Sequence, residues 1–496
     1  MTSTPEPPQT AAALDPRPIA AEPGLLGPAV TAGFAIAVGV WSAWFITHLP
    51  WLGIPERVSI PVLLAVWVIM AAVGPRIAGV ATQPGAGGRW WTRGALAGAI
   101  SAVLGLLILG SKLKQPAADG TGAGALVPNT GAIALGFLAL GTIIGLAGAG
   151  LALALPRSRR EGGAGWMPRL AIVAVVAAAP LLFIGGLVTS TNSGMAVPDW
   201  PNTYGSNMFL YPLGPRAGAA VGEHYEKIYL EHSHRLFGSL LGLASLALMI
   251  GVLRLDERRW VRRWAVAIFA LVCVQGILGG VRVLSGDAEI ARDNRFFAML
   301  HGVLAQVVFA GLVALAVFVT PAYRALRGGG ADAAPPEGDA TWPQRRRLRG
   351  LATGAAHATL MQLVFGAMYR HFRSSHALWT HAGFSIIVVL LAVAAGFAAQ
   401  GLRARAGRGH HAYDVMGKVG TGVVAVVGLQ FLLGWVAFAV GGRGHEAESV
   451  VQALIRTVHQ ANGALLLALA TVLYMWSRAM APRRPAAEAA VAPAAA

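Results

Sequence analysis

Twelve apolar segments, each near the ~20 residues a helix needs to cross a bilayer, recur along the chain at 25–48, 58–80, 94–111, 131–155, 168–190, 232–254, 262–283, 297–320, 351–369, 377–400, 417–441 and 457–477. With 55% of the 496 residues hydrophobic and only 12% charged, the sequence predicts an all-α polytopic membrane protein of about twelve transmembrane helices. The net charge of +17 does not point to nucleic acid, because the cations lie in short clusters between the apolar runs. Arg157/Arg159/Arg160, Arg254/Arg258/Arg259/Arg262/Arg263, Arg345/Arg346/Arg347/Arg349, Arg403/Arg405/Arg408 and Arg483/Arg484 occupy alternate connections, which marks those connections, and both termini, as cytoplasmic. Acids take the opposite side: Asp199, Glu223 and Glu226, then Asp287, Glu289 and Asp293, then Glu446 and Glu448.

Residues 1–24 are rich in Pro, Ala and Thr without helical period, and are expected to form a disordered cytoplasmic tail rather than a signal peptide. Residues 25–155 form a four-helix membrane extension whose helices contain almost nothing ionisable apart from His48 at an outer end, and small-residue faces such as 145–155 suit close helix contacts. Two four-helix bundles follow, at 168–322 and 350–480, and 481–496 is read as a second disordered tail. Cys273 is the sole cysteine, so no disulfide or cysteine metal site can form within one chain.

Ionisable groups at membrane depth are costly and usually face a bundle interior, a cavity or a cofactor. Glu231 and His234 stand three apart on one helical face, whereas His232, turned about 100° away per residue step, is expected to meet water or headgroups. A plainer account of this stretch is an i,i+4 pair between Glu231 and Arg235 at a helix start. His234, His301, His381 and His459 all fall near the outer end of a span running outside to inside, 67 residues apart in the first pair and 78 in the second. In an up-down-up-down bundle the second and fourth helices are diagonal, so each pseudo-symmetric repeat aims two imidazoles across its own core. Imidazoles so placed can clamp the iron of a haem axially, while zinc or non-haem iron would need three or four converging ligands. Any one such histidine could instead bond a neighbouring carbonyl. Arg235, Arg373, Arg443 and Arg456, on the outer side, are candidates for haem propionates or ordinary interfacial arginines, and His371 and His376 could compete with His381 as ligand.

A long loop, Thr191 to about Leu230, joins the fifth and sixth spans. Loops of that length usually cover a site, although Trp200 and Tyr204 could simply anchor at the interface. Ser193-Gly194-x-x-x-Pro198-Asp199-Trp200-Pro201, Glu231-x-Ser233-His234-Arg235, His301-Gly302 and Arg456-x-x-His459-Gln460 together resemble the haem A synthase family, over about residues 168–480. The resemblance implies that His234 and His301 face a substrate haem O, with Arg235, Asp199 and Trp200 beside it, and that Glu231 is the catalytic carboxylate. It implies that His381 and His459, with Arg456 nearby, hold a haem b cofactor. The family reaction oxidises a ring methyl twice and dehydrates the diol to a formyl group.

The chain departs from the family in lacking an outer-loop cysteine pair and in carrying the four extra N-terminal helices. The resulting expectation is a haem A synthase in the bacterial inner membrane, in contact with lipid, with haem O synthase and an electron-transfer protein as partners and no nucleic acid. The alternatives are a di-haem b electron carrier without haem-modifying activity, or a haem-handling module. A prenyltransferase is disfavoured, since no D-x-x-x-D pair offers magnesium ligands.

Overall fold

The computed structural model describes residues 24–78, 89–116, 123–154, 165–214, 224–285, 291–328, 339–406 and 411–481. Both predicted tails lie outside these residues, apart from their innermost ends, as do Arg157, Arg159, Arg160, Glu223, Asp287, Glu289, Arg408, Arg483 and Arg484. Twelve helices long and apolar enough to cross a membrane appear among the described residues. They are α1 (Leu26–Thr47), α2 (Glu56–Ile77), α3 (Trp90–Leu109), α4 (Thr130–Ala154), α5 (Trp166–Ser190), α6 (Tyr225–Leu255), α7 (Arg259–Leu284), α8 (Ala291–Phe318), α10 (Trp342–Phe372), α11 (Ser375–Ala406), α12 (His411–Val440) and α13 (Val450–Met480), with a short α9 (Pro321–Gly328) between. A small hairpin, β1 (Lys114–Pro116) with β2 (Ala123–Leu126), joins α3 to α4. Helices satisfy their own backbone in lipid, which is why apolar segments of this length fold this way. The protein is an integral membrane protein.

Several helices outrun the apolar windows that predicted them. The 31 residues of α6 and of α13 rise about 46 Å, more than the ~30 Å hydrocarbon layer. The first turn of α6, with Glu226 and Lys227, is therefore polar helix beyond the lipid. The α6 helix begins at Tyr225, not at 232, and α13 begins at Val450, where the Ser449 side chain accepts from the Gln452 N–H as an N-cap.

In the first bundle α5 packs on α6 and α8, and α7 on the same two; in the second, α10 and α12 each pack on α11 and α13. The bundles meet through α5, α8, α10 and α13. The extension has its own close contacts, where glycines take the place of side chains. A Cβ on Gly98 would lie 2.1 Å from the Gly141 carbonyl oxygen, and one on Gly145 2.4 Å from that of Gly94. Yet α1 also belongs to the main core: Trp41 and Phe45 meet Phe237 edge to face, and the Tyr229 hydroxyl donates to the Phe45 carbonyl at 2.7 Å.

At the ends away from the histidines, Asp256 is buried between α6 and α7 and pairs with Arg258 at 2.7 Å and Arg324 at 2.5 Å, while Arg258 donates onward to the Phe318 carbonyl. Burial pushes its carboxyl up, but the two guanidiniums outweigh this and hold it below the usual carboxylate range. Asp256→Asn is expected to cost about 2 kcal/mol, less than a fully buried pair because both arginines are partly exposed. Because the folded pKa is depressed, this stabilisation is complete above the unfolded carboxyl pKa and fades as pH falls through the folded one. Thermal unfolding of parent and variant should therefore differ most at pH 6 and converge toward pH 3; a constant gap would reject the assignment.

Candidate functional site

Each bundle brings one pair of histidines together. His234 on α6 and His301 on α8 have ring centroids 6.2 Å apart at 71°, and His381 on α11 and His459 on α13 have theirs 6.2 Å apart at 84°. Both separations leave room for a metal between the rings, so each pair would suit one haem iron. His376 is exposed, and it is His381 whose ring meets His459. Among the described residues no group of three or more His, Cys, Asp or Glu gathers to hold a bare metal ion.

Glycines back all four rings. A Cβ built on Gly185, Gly279, Gly366 or Gly434 would stand 3.0, 3.3, 3.0 or 3.4 Å from the Cε1 of His234, His301, His381 or His459 respectively. On the histidine helices, Gly238, Gly302 and Gly383 face open space. The rings of His234 and His301 engage the backbones of Leu181 and Gln275, the kind of contact that orients a ligating histidine. Together with the glycine cradles they fit a flat ligand held between paired rings.

Glu231 is buried, with both oxygens engaged: Oε2 accepts from the Val197 N–H at 2.9 Å, and Oε1 from Arg235 at 2.7 Å. The i,i+4 ion pair of the plainer account is thus present, and a loop contact accompanies it. Arg235 reaches further into the loop, donating to the carbonyls of Val197, Asp199 and Asn202. The Asp199 carboxylate accepts from the Tyr204 and Gly205 N–H groups at 2.7 and 2.8 Å, bridging a turn in which both residues have positive φ. Asp199 and Arg235 therefore shape the loop. Trp200 lies on α7, where a Cβ on Gly280 would come within 2.4 Å of its ring.

His232 differs from expectation. It is buried, its Nδ1 3.2 Å from the Thr203 hydroxyl and its ring 5.6 Å from Tyr211, because the loop folds over the face of α6 that it occupies. Burial raises the Tyr211 hydroxyl to about 12, assisted by Asp199. The loop leans on the extension as well: a Cβ on Gly110 would meet the Phe209 carbonyl oxygen.

Of the outer arginines, Arg456 donates to the carbonyls of Gly441, Gly444 and His445, closing the connection between α12 and α13. Arg443 is exposed. Arg373 stacks on Tyr369 and keeps Nε and Nη2 buried without partners. Sequence reasoning missed Arg370, which ties the halves by donating to the Thr189 and His445 carbonyls, and Arg282, which donates to Asn294 beside the loop. It also missed the glycines and the glutamines one turn before them, Gln275, Gln362 and Gln430, although Gln-x-x-x-Gly recurs on α7, α10 and α12.

Fold and site together define a polytopic helical membrane protein that gathers imidazoles in twos inside two four-helix bundles. Within that class, residues 168–383 match the family described as cytochrome oxidase assembly protein. The haem A synthase of Bradyrhizobium diazoefficiens is 30% identical over 153 residues, which is 27% of this chain and 42% of that protein. A haem A synthase of Erythrobacter litoralis is 27% identical over 242 residues, 43% of this chain and 63% of its own length. Over this stretch the chain is similar to these haem A synthases. The match spans less than half the length of the first curated relatives, and no solved structure matches.

Proposed function

We propose that the protein is a haem A synthase, a membrane oxidoreductase that converts a ring methyl of haem O to a formyl group through two hydroxylations and loss of water from the diol. The observation that carries this reading is the pair of histidine couples, each with centroids 6.2 Å apart, with a buried carboxylate beside only one of them. In this reading His234 and His301 hold the substrate and His381 and His459 the resident haem b, whose iron supplies one-electron chemistry when bound. Glu231, kept on the His234 face by the Val197 N–H and Arg235, takes a proton at Oε1 from one diol hydroxyl and returns it to the other, which leaves as water as the formyl carbonyl forms. The loop, pinned by Asp199 and Arg235 with Trp200 on Gly280, shields that half from water. Arg373, with unpartnered nitrogens, is the cation best placed by its surroundings for a propionate. The reading sets the protein in a bacterial inner membrane with both termini cytoplasmic, next to a haem O synthase and an electron-transfer partner, supplying aa3-type oxidases.

Expression beside a source of haem O, followed by chromatography of extracted haems, should yield haem A. Folded, haem-loaded protein that yields none would reject the proposal. The equal ring separations also favour a second reading, a di-haem b electron carrier. That carrier would show two equivalent haem b centres and leave haem O unchanged.

A further inference from the structure

The outer end of α7 carries a guanidinium that the fold leaves without an anion. Arg282 stands three residues beyond Gly279, the glycine that backs His301, and so lies one helical turn outward of that ring on nearly the same face. Its Nε donates to Asn294 Oδ1 at 3.2 Å, which holds it toward α8, and a Cβ on Gly194 would stand 2.6 Å from Nη1. The start of the covering loop thus closes over the guanidinium, and the glycine at 194 leaves it room. Arg282 is desolvated yet only half-buried, as a side chain lining an internal space is. Among the described residues Nη1 and Nη2 donate to nothing, and no carboxylate stands within ion-pair distance. Glu231 is the acid whose field reaches it, and Glu231 is already paired with Arg235 at 2.7 Å. The rings of His234 and His301 lie within the same electrostatic reach. A helix C-terminus favours a cation, but by less than the cost of enclosing a charge that has no partner. In the second bundle the Gln-x-x-x-Gly of α12 puts Ala437 at the matching place, so the cation belongs to the half that carries Glu231 and not to the repeat as such.

Haem has one charged edge, that of its propionates. Whatever holds that edge decides which way round the flat ring sits, and hence which ring methyl meets Glu231. A planar guanidinium with both Nη groups free matches a carboxylate bidentately, and Nε, held by Asn294, keeps the fork from turning away. We propose that Arg282 is a positioning residue that takes a propionate of the substrate haem in the first bundle. This rests on the reading of that bundle as the haem O site. Arg373, the other arginine with unpartnered nitrogens, lies on α10 and serves the second bundle, so each haem has a cation of its own. The inference also gives the glycine of Ser193-Gly194 a purpose, since the loop can cover the propionate cation only where it carries no side chain.

The test titrates haem O, and separately its dimethyl ester, into the full chain with haem b resident, and follows the absorbance of the centre that forms in the first bundle. The parent should bind the free acid about tenfold or more tighter than the ester. Arg282→Met should lose most of that preference, through weaker binding of the acid and unchanged binding of the ester. Arg282→Lys, which keeps the charge without the fork, should fall between. The ratio of the two dissociation constants is internal to each variant and does not depend on how much of it folds. An arginine that merely held the loop would weaken both ligands alike, because the ester differs only at the carboxylates. Equal loss of acid and ester in Arg282→Met, or an acid preference that neither substitution alters, would overturn the inference. Production of haem A is a separate readout: a chain that makes none but shows this preference loses the enzyme assignment and keeps the propionate site, and a chain that takes up no haem O loses both.

Discussion

Glu231→Gln should cut haem A formation by about 10²–10⁴-fold while haem b stays bound and the outer loop stays seated. The amide oxygen of glutamine can still accept the Val197 N–H, and Arg235 retains three loop carbonyls whichever residue stands at 231. What glutamine lacks is the charge and the ability to take a proton. Glu231→Ala should be as inactive and also loosen the loop, because it leaves a buried N–H and a guanidinium short of a partner. Haem O and haem A are quantified by chromatography, and the loop is probed by limited proteolysis across residues 191–214. If Glu231→Gln works at the parental rate and only Glu231→Ala fails, the carboxylate is a loop anchor and the catalytic assignment falls.

The number of the spans was legible because lipid imposes a length and a polarity on each segment, and nothing subtler is needed to see it. Helix starts were not: α6 begins at Tyr225 in polar sequence that no apolar window counts, and α13 at Val450, where Arg456 interrupts the apolar run ahead of His459. The histidine pairs could be read because an imidazole at membrane depth is costly and four at matched positions imply a common purpose. His232 was misread since helical periodicity places a residue on a face without saying what covers that face, and here the covering is a loop 29 residues upstream. That Arg235 and Asp199 also tie the loop together is shown only by carbonyls and N–H groups that sequence does not display. The backing glycines were hidden for the opposite reason: in a chain with 63 glycines, the Gln-x-x-x-Gly spacing that three of the four share gains meaning only when the ring in front of each is seen.

Gly366→Ala should empty the second bundle of its haem and leave the first able to take up haem O, and Gly185→Ala should do the reverse. In each case the added methyl would sit 3.0 Å from the Cε1 of the histidine it faces, His381 or His234, closer than ordinary carbon contact. Neither backbone can retreat easily, since α10 is packed on α11 and α5 on α6, so the imidazole turns instead. A ring turned off its axis loses overlap with iron, and a loss of 100-fold or more in haem affinity is expected, at or beyond the upper range for disturbing a ligand from behind. Gly350→Ala and Gly401→Ala supply the comparison, because both lie toward the opposite ends of α10 and α11 with nothing within 4 Å of the new methyl. There the change should be neutral or slightly stabilising, as alanine is the better helix former by about 1 kcal/mol. Haem b and haem O bound per chain, measured after purification, separate the cases. Equal loss of both haems in Gly366→Ala would mean that the two bundles do not bind independently, and unchanged loading in both variants would mean that these histidines do not ligate iron at all.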